Sequence, residues 1–372
     1  MHVQSLTLTN YRNYETLHIA FSPSVNVFVG ENAQGKTNAL EAIYFLAMGK
    51  SHRTHRDADC IRWNCSDAQI QSEVFVHGKV RRLQIDFHQG AKRASVNGVN
   101  QAKMTDFVGQ FQVVLFAPED LQLVKGGPQG RRRFIDMELG QTYPKYLYHL
   151  SQYQRALQQR NSLLKNMLPN ASALLDVLDA QLVEHGSEVL LRRLRFLDRM
   201  KQLAADIYTS ISDGREELAL DYACSVAPMT DSEPPDKSRI QSLFSAALER
   251  RRSADMQAGH TTVGPHRDDL LFTLNGQPVQ SFASQGQQRT IALSLRLAEI
   301  DLIQQEVGEY PVLLLDDVLS ELDDIRQRNL VFNMSQKVQT IVTTTSLFQL
   351  RDKLQADVRL FQVRSGIIQN EG

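Results

Sequence analysis

Gly30-Glu31-Asn32-Ala33-Gln34-Gly35-Lys36-Thr37 is a full match to the phosphate-binding pattern G-x-x-x-x-G-K-[ST]. A loop of this composition turns backbone N–H groups inward around an anionic phosphate. Gly30 and Gly35 supply bends that a side chain would obstruct. Lys36 is the candidate to reach the β- and γ-phosphates, and Thr37 the candidate to set its hydroxyl on Mg²⁺. The flanks agree with this reading. Val25, Val27, Phe28 and Val29 form a strand that runs into the loop, and 39–48 reads as a helix. The N-terminus of that helix adds a partial positive charge where a phosphate sits. All eight residues from 30 to 37 are therefore candidate nucleotide contacts, with Lys36 also a catalytic candidate and ATP with Mg²⁺ the expected ligands.

The bulk numbers bound what surrounds this loop. The chain has 372 residues, long for one domain and natural for two. It is 42% hydrophobic and 22% charged, so a large core is expected. The formal net charge is −1, so no global field draws the chain to nucleic acid, and any such contact must come from local patches of its 41 Lys and Arg. No apolar run is long enough to span a membrane, and Met1-His2-Val3-Gln4-Ser5 does not open a signal peptide. A cytoplasmic protein with reduced thiols is the expectation for its 3 cysteines, Cys60, Cys65 and Cys224. His52, His55, Cys60 and Cys65 cluster in sequence, but at a spacing that matches no zinc pattern, so ordinary loop and core residues are expected there.

Along the chain, strands are expected at 3–9, 15–21, 25–29, 68–76, 81–88, 94–96 and 112–116, with Asn97-Gly98 as a hairpin turn. Character changes near Gly126-Gly127-Pro128, and helical periods dominate to about residue 258. Leu174, Leu175, Leu178 and Leu182 form one apolar stripe, and Leu190, Leu194, Leu197, Ala204, Ile207 and Ile211 another. Pro169-Asn170 breaks between helices, and 227–235 is a polar loop. The stripes read as core faces of a globular lobe, since unbroken heptads do not persist. Strands return at 270–274, 311–317, 339–345 and 358–363, around a helix at 290–305. The expected organisation is an α/β ATPase head with a mixed sheet, formed by 1–125 and 259–372, and interrupted by an all-helical lobe at 126–258.

A second half of an ATP site is expected at Val312-Leu313-Leu314-Leu315-Asp316-Asp317. Four aliphatic residues in a row suit a strand buried on both faces, and acids at its C-terminal edge sit where open α/β sheets bind ligands. Asp316 is the candidate Mg²⁺ holder and Asp317 the candidate general base for the attacking water. Ser284-Gln285-Gly286-Gln287 opens the helix that precedes this strand and forms another potential anion site. A chain that already holds one phosphate loop uses such a segment best on the γ-phosphate bound to another subunit. ATP would then join a head-to-tail homodimer with two composite sites. The plainer alternative is a serine-capped helix start without a ligand.

The loop at 30–37, Ser284-Gln285-Gly286-Gln287, the acids Asp316 and Asp317, and Ser320-Glu321-Leu322-Asp323 resemble the Walker A, signature, Walker B and D-loop segments of ABC-type ATPases. The opening Leu6-x-Leu8-x-Asn10-Tyr11-Arg12-Asn13-Tyr14 resembles the SMC-like DNA-repair branch. Phe116-Ala117-Pro118-Glu119-Asp120, Gly126-Gly127-Pro128, Arg131-Arg132-Arg133-Phe134-Ile135-Asp136 and Gly264-Pro265-His266-Arg267-Asp268-Asp269 narrow the resemblance to the bacterial RecF family. That resemblance implies a cytoplasmic ATPase that dimerises with ATP and binds single- and double-stranded DNA without sequence preference. It implies work at single-strand gaps and stalled forks, in recombinase loading with RecR and RecO, and nucleotide contacts from Arg12 and Asn13 in the opening motif. Asp317 stands where many ABC ATPases carry Glu, and the shorter acid suits slow hydrolysis. An ABC-transporter motor shares the nucleotide motifs but not the helical lobe, and an SMC structural protein needs hundreds of heptad residues. Gln112 is a candidate Q-loop residue or a plain edge residue.

Four basic clusters are candidate DNA contacts: Arg131-Arg132-Arg133; Arg192, Arg193 and Arg195; Arg250-Arg251-Arg252; and Lys50, His52, Arg53 and Arg56. Solvated helix faces are the commoner fate of such runs. His266-Arg267-Asp268-Asp269 reads either as a folding ion-pair network or as a nucleotide-state sensor.

Overall fold

The computed structural model describes residues 1–166, 171–226, 236–318, 337–346 and 358–371. The polar loop at 227–235, Pro169-Asn170 and Ser320-Glu321-Leu322-Asp323 lie outside the described residues. The chain divides into two compact units, Met1–Asp120 with Arg296–Gly372, and Leu121–Leu295.

The first unit is built on two six-stranded sheets. One is antiparallel, in the order Tyr14–Ala20, His2–Tyr11, Asp67–Val76, Lys79–His88, Ala91–Val96, Val99–Asn100. Asn97 and Gly98 turn its last hairpin with φ of 51° and 80°, the left-handed pair that a two-residue hairpin requires. The other sheet runs Ile367–Glu371, Val358–Arg364, Val25–Val29, Thr340–Thr344, Val312–Asp316, Val113–Phe116. Its strands are parallel except for the terminal hairpin of Val358–Arg364 with Ile367–Glu371. Val25–Val29, Val312–Asp316 and the edge strand Val113–Phe116 are buried along their whole length, which is why they read as largely continuous apolar runs. The helix Lys36–Met48 packs against strands of both sheets and is buried on nearly every side. Glu41 is the acid on that helix; its carboxylate is fully buried and forked by Arg12 at 2.8 and 2.6 Å.

Because Val25–Val29, Thr340–Thr344 and Val312–Asp316 are parallel, their C-terminal ends share one edge. That edge receives both the phosphate loop and the Asp316-Asp317 pair, although 279 residues separate Thr37 from Asp316.

The second unit pairs the helix Pro144–Asn166 with the long helix Ala171–Ile211. They run antiparallel, since Arg160 meets Asp179 while His149 meets His185. Leu182 and Leu190 join Tyr153, Phe244 and Leu248 in one core, with the helix Lys237–Ala258 completing it. Of the first Leu stripe, Leu175, Leu178 and Leu182 are buried, while Leu174 faces out. The unit also carries an antiparallel sheet of Leu218–Ala223, Asp269–Leu274 and Gln277–Pro278. The strand Leu218–Ala223 is short and flanked by helices, and its alternating buried and exposed residues become visible as a strand only opposite Asp269–Leu274.

Two of the basic runs are corrected here. Arg131 is 1% exposed and forks Asp269 at 2.7 and 2.7 Å, and Arg193 is 2% exposed against Asp136, Tyr222 and the Pro265 carbonyl. Each of these two arginines faces the interior and is neutralised there by a partly buried carboxylate, Asp269 or Asp136. Neither side chain is available to DNA. Arg252 is committed to Asp176 at 2.6 Å, whereas Arg195, Arg250 and Arg251 are exposed.

The His266-Arg267-Asp268-Asp269 segment is a folding network of this unit. Asp268 accepts from the Tyr222 hydroxyl and the Ser225 amide, and Arg267 donates to the Thr261 carbonyl. The His266 Nε2 lies 3.1 Å from the Thr261 carbonyl and its Nδ1 lies 2.6 Å from the Tyr153 hydroxyl, an arrangement that satisfies the neutral ring. Burial pushes His266 down to about 4 from 6.5. The folded state therefore resists a proton that the unfolded chain accepts below pH 6.5, so this stabilisation is present above pH 6.5 and lost as pH falls toward 4. Burial raises Asp268, which acts in the opposite sense and is common to wild type and variant. Urea unfolding of wild type and His266→Gln should differ by about 2 kcal/mol more at pH 7 than at pH 5.

Candidate nucleotide site

The strand Val25–Val29 ends at Gly30, and the helix Lys36–Met48 begins behind Gly35, whose φ of 118° lies in the left-handed region. A Cβ on Gly35 would stand 2.7 Å from Asn13 Nδ2 and 2.9 Å from the Tyr14 hydroxyl, so glycine is required for both backbone and packing reasons. A cavity of about 310 Å³ opens over the loop, lined by 32–38 with Arg53, Asp317 and Thr343.

Lys36 is 6% exposed, and its ammonium donates to the carbonyls of Gly30 at 2.6 Å and Glu31 at 2.7 Å. Burial lowers its pKa, opposed by Asp317 and Asp316. A partly desolvated cation at a cavity wall is matched by an anionic guest. The Thr37 hydroxyl donates to Asp316 Oδ1 at 2.8 Å, bringing both expected Mg²⁺ ligands together. Hydroxyl and carboxylate oxygens are the hard donors that Mg²⁺ takes alongside phosphate oxygens. Asp317 adopts φ of 53°, and burial raises its pKa, with Lys36 opposing and Asp316 reinforcing. An acid with raised proton affinity beside a phosphate cavity has the character of a general base.

Two functional residues were not foreseen. The Thr343 hydroxyl donates to Asp316 Oδ1 at 2.8 Å and accepts the Asp317 amide at 2.9 Å, so it orients both acids at once. Its signal is the threonine-rich end of a fully buried strand lying between the phosphate-loop strand and the acid-bearing one. Arg53, expected only as part of a basic loop, lines the cavity and donates to Asn38 at 2.8 Å.

Other expected residues fall elsewhere. Arg12 is committed to Glu41 and to the Asp59 carbonyl, and it does not line the cavity. Asn13 reaches the loop's outer side, donating to the Gln34 carbonyl at 3.0 Å. Gln112 lies at the N-terminal end of its strand, opposite the catalytic edge, and donates to the Gly109 carbonyl, so the Q-loop reading of it fails on position. Among the described residues no group of three or more His, Cys, Asp or Glu is arranged for a metal ion. Cys60 is buried and its thiol is pushed up to about 12, while His52 packs edge-on to Tyr44.

Ser284 opens the helix Gln285–Val307 with a reciprocal cap: its amide donates to Gln287 Oε1 at 2.7 Å, and its hydroxyl accepts the Gln287 amide at 3.2 Å. Ser284, Gln285 and Gly286 are exposed. Gly286 has a φ that any residue adopts, and a Cβ there would meet nothing closer than Ser284 Oγ at 4.0 Å.

Phosphate loop, buried acid-bearing strand and parallel core define an ABC-type ATPase head. A family model described as the RecF/RecN/SMC N-terminal domain matches residues 2–369, and the chain belongs to that family. It is 48% identical over 371 residues to the DNA replication and repair protein RecF of Oceanobacillus iheyensis, covering 99% of this chain and 100% of that one. It is 49% identical over 372 residues to the protein of the same name from Bacillus cytotoxicus, covering 100% of this chain and 99% of that one. A solved structure of the recombination mediator protein RecF with ATP in the RecFOR pathway superposes with a TM-score of 0.91 at 31% identity, over 100% of this chain and 98% of the other. An Smc head bound to the C-winged helix domain of ScpA shares the fold, at 17% identity and a TM-score of 0.58 over 100% of this chain and 97% of the other. No helix among the described residues is long and apolar enough to cross a membrane.

Proposed function

We propose that this chain is an ATP-gated DNA-binding protein of recombinational repair and replication-fork maintenance, acting in the cytoplasm. Two copies close head-to-tail over two ATP–Mg²⁺ molecules, and slow hydrolysis releases them. With the proteins its relatives' pathway name implies, RecR and RecO, it assists recombinase loading at single-strand gaps. The observation that carries the nucleotide part is the junction of Thr37 and Asp316 at 2.8 Å, beside a buried Lys36 and under a cavity of about 310 Å³.

The composite site is supported by Gly286. Neither its backbone nor its own chain demands glycine, and it sits exposed at a helix N-terminus. A surface glycine of this kind suits close approach by an external phosphate. Exposed Arg53, Arg56, Arg195, Arg250 and Arg251 remain as candidates for sequence-independent phosphate contacts.

Ser284→Arg fills the space a partner's γ-phosphate would take, and Ser284→Asp keeps the helix cap while opposing phosphate charge. Both should leave ATP affinity of the monomer within about twofold while reducing DNA-stimulated hydrolysis about a hundredfold, as expected for loss of electrostatic stabilisation in the transition state. Hydrolysis at the wild-type rate in both variants refutes the shared site.

A further inference from the structure

The phosphate loop is held from outside as well as by its own lysine, whose ammonium donates to the Gly30 and Glu31 carbonyls. A trans peptide points its N–H and C=O in opposite directions, so an N–H aimed at an anion needs its carbonyl side held from outside. The peptide joining Gln34 to Gly35 is held in this way. Its carbonyl accepts Asn13 Nδ2 at 3.0 Å and the Gly366 amide at 3.0 Å. The Gln34 side chain is fixed by the same turn, its Oε1 accepting the Ser365 amide at 2.6 Å. Gly366 has φ of 77°, and a Cβ there would lie 2.8 Å from the Asn13 carbonyl oxygen. The strand leading into this turn presses on the loop's other end, since a Cβ on Gly30 would lie 2.3 Å from the Val363 carbonyl oxygen. Asn13, in turn, is placed by Asn38 Nδ2 at 2.8 Å.

We propose that the C-terminal hairpin turn, Ser365-Gly366, together with Asn13, is a positioning clamp that orients the Gly35 amide toward the nucleotide phosphates. The clamp rests on the reading of 30–37 as the ATP site. Neither Asn13 nor Gly366 lines the cavity; both act through Gln34. The turn at Ser365-Gly366 is thereby part of the phosphate site, 331 positions from Gln34 by sequence separation.

Isothermal titration of the full chain with ATP and Mg²⁺, paired with thermal midpoints without nucleotide, tests this. Gly366→Ala should weaken ATP affinity about tenfold and Asn13→Ala about fivefold, the scale of a strained turn and of one lost hydrogen bond. Gly98→Ala is the control. Gly98 also turns a hairpin, with φ of 80°, but nothing lies within 4 Å of its Cβ position. It carries the backbone strain without the steric contact, so it should lower the midpoint by less than Gly366→Ala does and leave ATP affinity unchanged. Lys36→Ala, run alongside, separates the two levels of the argument. If it loses ATP while Gly366→Ala and Asn13→Ala bind as wild type, the clamp is overturned and the site stands. If it too binds as wild type, both fall.

Discussion

Lys36→Ala should weaken ATP–Mg²⁺ binding about a hundredfold and leave the fold intact. A charge-assisted hydrogen bond to phosphate contributes on the order of 1.5–3 kcal/mol, and lysine makes more than one at the β/γ junction. The Lys36 ammonium now rests on the Gly30 and Glu31 carbonyls, 2.6 and 2.7 Å away. Gly30 is half-buried and Glu31 is exposed, so truncation strands no deeply buried partner. Burial has already lowered the lysine's pKa, which means that its charge gains most when an anion arrives. Affinity is read by titration calorimetry and integrity by the unfolding midpoint. Unchanged affinity removes the nucleotide assignment.

Asp317→Asn should retain ATP and slow hydrolysis by about 10²–10⁴, the range for loss of a general base. Asparagine tolerates the left-handed backbone at φ of 53°, so the change tests the proton and not the chain path. Thr343 still accepts the 317 amide, and Asp316 still meets Thr37. ATP-bound dimers should then accumulate. If nucleotide binding is lost instead, Asp317 is a metal ligand and not the base.

The nucleotide site was legible because its chemistry is written in contiguous stretches. Eight residues define the loop, and four aliphatics followed by two acids define the opposing strand end. Continuous apolar runs likewise located Val25–Val29 and Val312–Asp316 of the parallel sheet, which are buried on both faces. What stayed hidden depends on partners far away in sequence. Thr343 is one threonine in a run of three until the sheet order sets it between the loop and the acids. Gln34 meets Ser365 across 331 positions, and no local pattern announces it. The arginine runs misled for a related reason. Composition marks Arg131 and Arg193 as surface charge, but Asp269 and Asp136 draw them into the interior. The opening motif divides in the same way: Arg12 turns to Glu41 and Asn13 turns to the loop.

Sedimentation velocity on Asp317→Asn and on the Ser284→Asp/Asp317→Asn double variant, each with and without ATP–Mg²⁺, tests the shared-nucleotide dimer most directly. The single variant should double in mass only when ATP is present, and the double variant should bind ATP yet remain a monomer. A double variant that dimerises as readily, or a single variant that stays monomeric with ATP bound, contradicts the account.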